Sequence, residues 1–430
     1  MLLRIYLLAT LLLCVHCTQA QPLPDSIAHV LQKHINNLAS NHMKGRGYVQ
    51  NGQQKAARYI GKQLRSMGLH TLPGIDNMQQ QYELTVNTYP GKMNVTINGR
   101  KLEAGKDYMV DAASASYRSI SKRIQTIDLA TITDTQKWLH TKAALSDTCI
   151  WLLKNADSMS KNTGMTHRQL KAQLPKGCYI LPQKNKLMWT VADHQTNATV
   201  IYVTDTLLPY LPARMSVNIK SRLKKKLKST NIMACVPGTV TDSIIAFTAH
   251  YDHLGMMGKK TIFPGASDNA SGTAMLLYLA QYYAQHPQPY TMVFVAFSGE
   301  EAGLLGSAHF VQHPPLALER IKMLTNLDIM GDATDGVTVV NATVYNKEYA
   351  LLTTLNQEHN YLPVIKSRGK AANSDHYYFS EAGVPSFFIY SNGGKGYYHD
   401  IYDKPAEVRL THIPGVAELL IKFAAAVQQL

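Results

Sequence analysis

Residues 291–307 read TMVFVAFSGEEAGLLGS: a near-continuous apolar run that passes directly into two adjacent glutamates, Glu300 and Glu301. A run without polar alternation is the pattern of a strand covered on both faces, as in parallel sheets packed between helices. Working outward, similar short runs occur at 243–249 (SIIAFTA), 321–327 (IKMLTNL), 336–340 and 385–390 (PSFFIY). Helical patterns lie between and after them, notably ASGTAMLLYLAQYYAQH at 270–286 and IPGVAELLIKFAAAVQQL at 413–430. The expectation is an α/β fold with a mixed, largely parallel central sheet and helices on both faces.

The 430 residues exceed the usual size of one domain. Residues 25–40 space Ile27, Val30, Leu31, Ile35 and Leu38 on one helical face, and residues 52–69 do the same with Ala56, Ile60, Leu64 and Met67. From about 86 to 227 the texture changes to short alternating segments such as MNVTING and ATVIYVT, broken by turn residues. The division expected is a leader at 1–20, a helical part of the main domain at 21–85, a β-rich insertion at 86–227, and the α/β domain at 228–430.

The leader, MLLRIYLLATLLLCVHCTQA, has an early Arg4, an apolar core and a small-residue end at Thr18-Gln19-Ala20. That is the pattern of an export signal, and its core is shorter than the roughly 20 residues needed to span a bilayer. The expected location is periplasmic or secreted, with no membrane span. Beyond the leader the cysteines are Cys149, Cys178 and Cys235, an odd count that argues against a disulfide framework, although Cys149 and Cys178 are candidates to pair. The 43 Lys and Arg against 29 Asp and Glu give +14, but no nucleic-acid motif accompanies the charge. Its densest cluster, SRLKKKLK at 221–228, reads as a solvated strand or linker.

In an open α/β sheet the functional crevice lies beyond the carboxyl ends of the strands. That rule selects His250, the Glu300–Glu301 pair, Asp328, Asp268 just before a long helix, and His399 in the loop after the last run. Each alone is weak, since a lone Asp before a helix is usually a cap. Together they would repel: like charges 4 Å apart interact by about 4 kcal/mol at an effective dielectric of 20. Metal cations resolve this, and a nitrogen and oxygen donor set without sulfur suits Zn²⁺, with Co²⁺ or Mn²⁺ also accepted. Asp268, Glu301 and Asp328 with a bridging hydroxide balance two divalent ions.

The blocks HYDHLG, GASDNASG, SGEEAGLLGS, NLDIMG and YYHD, in this order, resemble the signature blocks of the secreted dizinc aminopeptidases, metallopeptidase family 28. The resemblance covers roughly 231–430 and the N-terminal segment MKGRGYVQNGQQKAARYIGKQL; the insertion resembles, more loosely, a protease-associated domain. It implies a zinc-peptidase fold, peptide substrates and two zinc ions per chain. By motif, His250 and Asp328 would hold one zinc, Glu301 and His399 the other, and Asp268 would bridge them. Glu300 would be the general base, Tyr398 an oxyanion donor, and the Asp252 carboxylate would orient the His250 ring. His253, Asp375 and His376 match positions beside the substrate pocket, with a structural role equally open. Asp403 is expected to support the His399 loop and Asn269 to fix the turn after Asp268; Ser267 departs from the acidic residue many relatives carry. Two alternatives stand beside the peptidase: a single-zinc glutaminyl cyclase, separable by metal stoichiometry, and a non-enzymatic receptor, which would have lost ligands that this chain retains.

Overall fold

The computed structural model describes residues 26–208 and 213–429. The leader read in residues 1–20 lies outside the described residues. The TMVFVAF run forms the strand Tyr290–Phe297. Met292, Phe294 and Ala296 enter one apolar core, whereas Val293, Val295 and Phe297 enter another on the opposite face. With side chains alternating between faces, a strand covered on both sides must be apolar at every position.

This strand is third in an eight-stranded sheet ordered Gln79–Thr88, Arg222–Val236, Tyr290–Phe297, Val240–His250, Ile321–Asp328, Ser386–Ser391, Val337–Val340 and Ile365–Arg368. The four strands from Tyr290–Phe297 to Ser386–Ser391 run parallel, and antiparallel pairings flank them on both sides. One face is covered by the helices Ile27–Leu38, Gly52–Ser66, Gly272–Gln285 and Ile413–Val427, sharing a core that includes Leu31, Ile60, Met275 and Phe423. The other face receives Phe310 of Leu305–Gln312 and Phe379 of His376–Glu381. The first helix begins where the Ser26 side chain accepts the His29 N–H, and it buries Val30, Leu31, Ile35 and Leu38 as its spacing requires.

Residues 94–219 build a second eight-stranded sheet, ordered Arg100–Lys101, Asn94–Ile97, Arg214–Ile219, Tyr117–Asp128, Ile150–Lys154, Gly177–Gln183, Ala198–Thr204 and Tyr108–Val110. The region expected to be β-rich also carries the helices Thr135–Ala143, Ala156–Thr163 and His167–Gln173. These helices bury one side chain each, Trp138, Met159 and Leu170, so no apolar stripe announces them in the sequence. The lysine-rich 221–228 segment is the outer half of Arg222–Val236, paired with Gln79–Thr88 and largely solvated until Ser229. Cys149, Cys178 and Cys235 are all free and buried.

Strand register decides where chemistry collects. His250 pairs with Phe297, Thr248 with Asn326, and Asp328 with Tyr390. The carboxyl ends of all four parallel strands therefore finish at one edge, where the connecting loops must turn.

Candidate metal centre

His250 ends its strand with its ring buried, and its Nε2 lies 3.3 Å from Asp328 Oδ1 and 3.4 Å from Asp268 Oδ1. The second oxygen of Asp268 lies 3.2 Å from His399 Nε2, which is also 3.2 Å from Glu301 Oε2. Asp268 thus faces two histidines, one with each oxygen. Donors about 2.0–2.1 Å from a tetrahedral zinc stand about 3.3 Å from one another, because that is the edge of the coordination polyhedron. The four histidine–carboxylate distances have this spacing, so the donors present fit bound metal.

Electrostatics agree with the geometry. Burial works against charge on His399, yet Glu301 and Asp268 outweigh it and raise the imidazole to about 11. Glu301 is opposed by burial and by Asp268, but His399 and His253 bring it down to about 2. Asp268 is held well below the usual carboxylate range, despite its burial, by its contacts with His250 and His399. These buried carboxylates demand nearby positive charge, which protonated rings or cations can supply.

The two glutamates leave the strand with different partners. Glu301 presents Oε2 to His399 while its Oε1 meets His253 Nδ1 at 2.8 Å. Glu300 is half-buried, its N–H donates to Asp252 Oδ1 at 3.2 Å, and its carboxyl groups with His250 and Asp328. Burial, then the neighbouring Glu301, Asp328 and Asp375 charges, push the Glu300 carboxyl well above its ordinary value, against the pull of His250. A carboxyl raised in this way is suited to taking up a proton.

The motif implies that the Asp252 carboxylate orients the His250 ring, but the two are not hydrogen-bonded. His250 Nδ1 faces the backbone carbonyl of Asp252 at 3.1 Å, and the carboxylate stands 3.9 Å away. Its oxygens are occupied by the Tyr48 hydroxyl at 2.8 Å and by the Glu300 N–H. Competing donors claim the side chain, although residues two apart on an extended chain can face the same way.

Tyr398 stacks flat on His399, with ring centroids 3.8 Å apart, and is 43% exposed, so its ring borders the open side of the cluster. Its hydroxyl proton is held tightly, first through desolvation and then through the site carboxylates. Asp403 accepts the N–H groups of Ser267 and Asp268 at 2.8 and 3.0 Å, binding the Asp268 turn to the segment after His399. Asn269 closes the same turn by accepting the Gly272 N–H and donating to Leu327 O. Asp375 accepts the Ser307 hydroxyl and is raised to about 7 chiefly by burial, whereas His376 is buried and lowered to about 4 for the same reason.

Several supporting residues were not singled out from sequence. Arg46 is fully buried, and its guanidinium donates to the carbonyls of Leu38, Tyr251, Pro264 and Gly265 at 2.6–3.0 Å, with Asp268 O at 3.4 Å. Burial lowers it to about 10, which leaves a cation directly beneath the carboxylates at neutral pH. Its signal is the KGRGY block, whose glycines are needed for contact: a Cβ on Gly47 would lie 2.4 Å from Gly255 Cα. Ser374 donates to Asp328 Oδ2 at 3.1 Å and accepts from Asn326.

The chain has relatives of matching architecture. Aminopeptidase YwaD of Bacillus subtilis (strain 168) is 35% identical over 159 residues, a match covering 33% of this chain and 31% of that protein. Its match to this curated relative therefore spans about a third of the relative's length. The structure of BSAP, a zinc aminopeptidase from Bacillus subtilis, superposes with a TM-score of 0.67 at 20% identity, covering 95% of this chain and 96% of that one. The aminopeptidase from Aneurinibacillus sp. strain AM-1 gives 0.61 at 20% identity, over 93% of each chain. These superpositions show a shared fold, including the second sheet. Residues 231–424, which carry all the residues of the two histidine–carboxylate sets, match the model of peptidase family M28, so this part of the chain is similar to that family.

Proposed function

We propose that this chain is an exported zinc exopeptidase, an aminopeptidase that holds two zinc ions and removes N-terminal residues from peptides. The observation that carries the reading is Asp268, whose two oxygens face His250 and His399 at 3.4 and 3.2 Å. In this reading His250 and Asp328 would hold one ion and Glu301 and His399 the other, with Asp268 available to both. Zinc held there would acidify a water and polarise the scissile carbonyl.

The remaining steps belong to the chain's own residues. Glu300 takes the proton of the attacking water and returns it to the departing amine, a role its raised carboxyl supports. Asp252 fixes the Glu300 backbone, and His253 holds Glu301 by the oxygen turned away from His399. Tyr398, on the open side, offers its hydroxyl to the developing oxyanion. The family and the zinc aminopeptidases among the relatives support the peptide substrate class. The leader at 1–20 supports export, and no helix among the described residues is long and apolar enough to cross a membrane.

The test is a panel of aminoacyl and N-blocked peptides, assayed with and without a chelator, alongside metal analysis. Cleavage restricted to free N-termini, lost on chelation and restored by zinc at two ions per chain, is the expected result. Cleavage of blocked peptides would overturn the aminopeptidase reading, and one zinc with no amino-acid release would overturn the dizinc peptidase.

A further inference from the structure

Residues 392–403, which carry Tyr398 and His399, contain turns and bends but no strand or helix. Gly393, Gly394 and Gly396 have positive φ, and His399 itself sits at φ +54°. A metal ligand on such a segment needs outside support to keep its ring in place.

That support comes from the second sheet. The connection between Gly177–Gln183 and Ala198–Thr204 reaches across to the His399 loop. Lys186 Nζ donates to Gly396 O at 2.9 Å and forms an ion pair with Asp400, whose side chain is 1% exposed. The Trp189 backbone N–H donates to His399 O at 2.9 Å. Trp189 is itself anchored, stacking on Phe263 at 4.8 Å and donating from Nε1 to Val110 O at 2.8 Å. Ile401 packs against the second sheet's core.

The same loop is tied on its other side to Asp268. Asp400 Oδ1 accepts the N–H groups of Tyr402 and Asp403, and Asp403 accepts those of Ser267 and Asp268. A set of polar contacts therefore runs from Lys186 through the His399 loop to the backbone of the turn that carries Asp268. Among the described residues the His250–Asp328 pair receives no comparable contact: His250 and Asp328 stand on strand ends, and Asp328 is held by Ser374.

We propose that Lys186 and Trp189 are positioning residues for His399, so that the second sheet completes one of the two metal half-sites and leaves the other to the main sheet. This rests on the dizinc reading above. A merely structural interface would change stability when Lys186 is altered and leave metal binding untouched.

The test uses the full chain, stripped of metal and titrated with Zn²⁺ by calorimetry, and with Co²⁺ by visible absorption. Wild type should take two equivalents. In K186M one equivalent should bind as in wild type and the other at least about tenfold more weakly, the scale typical of outer-shell changes. K186R should restore the second equivalent; W189L, which keeps the backbone donor but loses the stack on Phe263 and the bond to Val110 O that fix it, should reproduce the selective loss; and K184M, at an exposed lysine of the same segment, should match wild type. If K186M does not fold, K186Q takes its place. Two equivalents of unchanged affinity in the folded Lys186 variant would overturn the inference while leaving the proposed function intact. A wild-type chain that binds no zinc would overturn both.

Discussion

The Tyr48 hydroxyl donates to Asp252 Oδ2 at 2.8 Å, while Asp252 Oδ1 accepts the backbone N–H of Glu300 at 3.2 Å. A residue before the second helix is thereby linked through one buried carboxylate to the first of the paired glutamates. Removing the hydroxyl in Y48F leaves a buried carboxylate short of a donor, at a cost of about 1–3 kcal/mol. The expected outcome is a lower urea midpoint with a reduced kcat. Unchanged values of both would show that this link does not support Glu300.

The two glutamates should separate cleanly by substitution. E300Q should lower turnover by about 100-fold or more, the range for a lost general base, with metal content near wild type. E301Q should instead lose most of one metal equivalent, because Glu301 Oε2 stands 3.2 Å from His399 Nε2. Metal analysis and single-turnover assays on the pair check both, and the opposite pattern would exchange their roles.

Asp268 is the residue shared by the two histidine–carboxylate sets. D268N should therefore weaken both zinc equivalents, whereas H250A should weaken one. Calorimetric titration of the stripped proteins reads this directly; a selective loss in D268N would show that the carboxylate serves a single ion.

Arg46 donates to five carbonyls inside the fold. R46M fills much of the volume but strands those acceptors, so it should destabilise by about 3–5 kcal/mol, the scale for breaking a buried charged network. Chemical denaturation of the stripped protein measures it. A loss under about 1 kcal/mol would mean that the carbonyls find water instead.

His34 provides a pH prediction away from the metal centre. It is buried against Tyr59, with Nδ1 2.8 Å from the hydroxyl, and burial lowers it from 6.5 to about 4. The unfolded chain then binds more protons between pH 4 and 6.5, so this contribution is complete above pH 6.5 and declines as the pH falls through that window. At pH 5 the loss from this residue is about 2 kcal/mol, at 1.36 kcal/mol per unit. Wild type should therefore lose more stability than H34Q between pH 7.5 and pH 5, and equal losses would refute a neutral buried His34.

Much of the fold was legible because periodicity reports burial directly. The uninterrupted apolar run at Tyr290–Phe297 contributes to two cores at once, and the 3.6-residue spacing of Val30, Leu31, Ile35 and Leu38 marks a helix with one buried face. The three helices of the second sheet were not legible, since Trp138, Met159 and Leu170 are each the only buried residue of their helix. The site behaved in the same way. Residues at strand ends were selected by topology, but Arg46, Tyr48, Lys186 and Trp189 act from distant segments through partners that spacing does not encode.

The order of the motif blocks and the apolar runs determined, by sequence alone, the kind of sheet, the edge on which chemistry gathers and the residue types present there. Tertiary structure decided how those residues face one another. It turned the Asp252 carboxylate toward Tyr48 and the Glu300 N–H, gave Asp268 one oxygen for each histidine, and brought Lys186 and Trp189 to the His399 loop. The physical reason is that side-chain period and composition report how much of a segment is buried, whereas a hydrogen bond depends on which donor outcompetes the others across the folded chain.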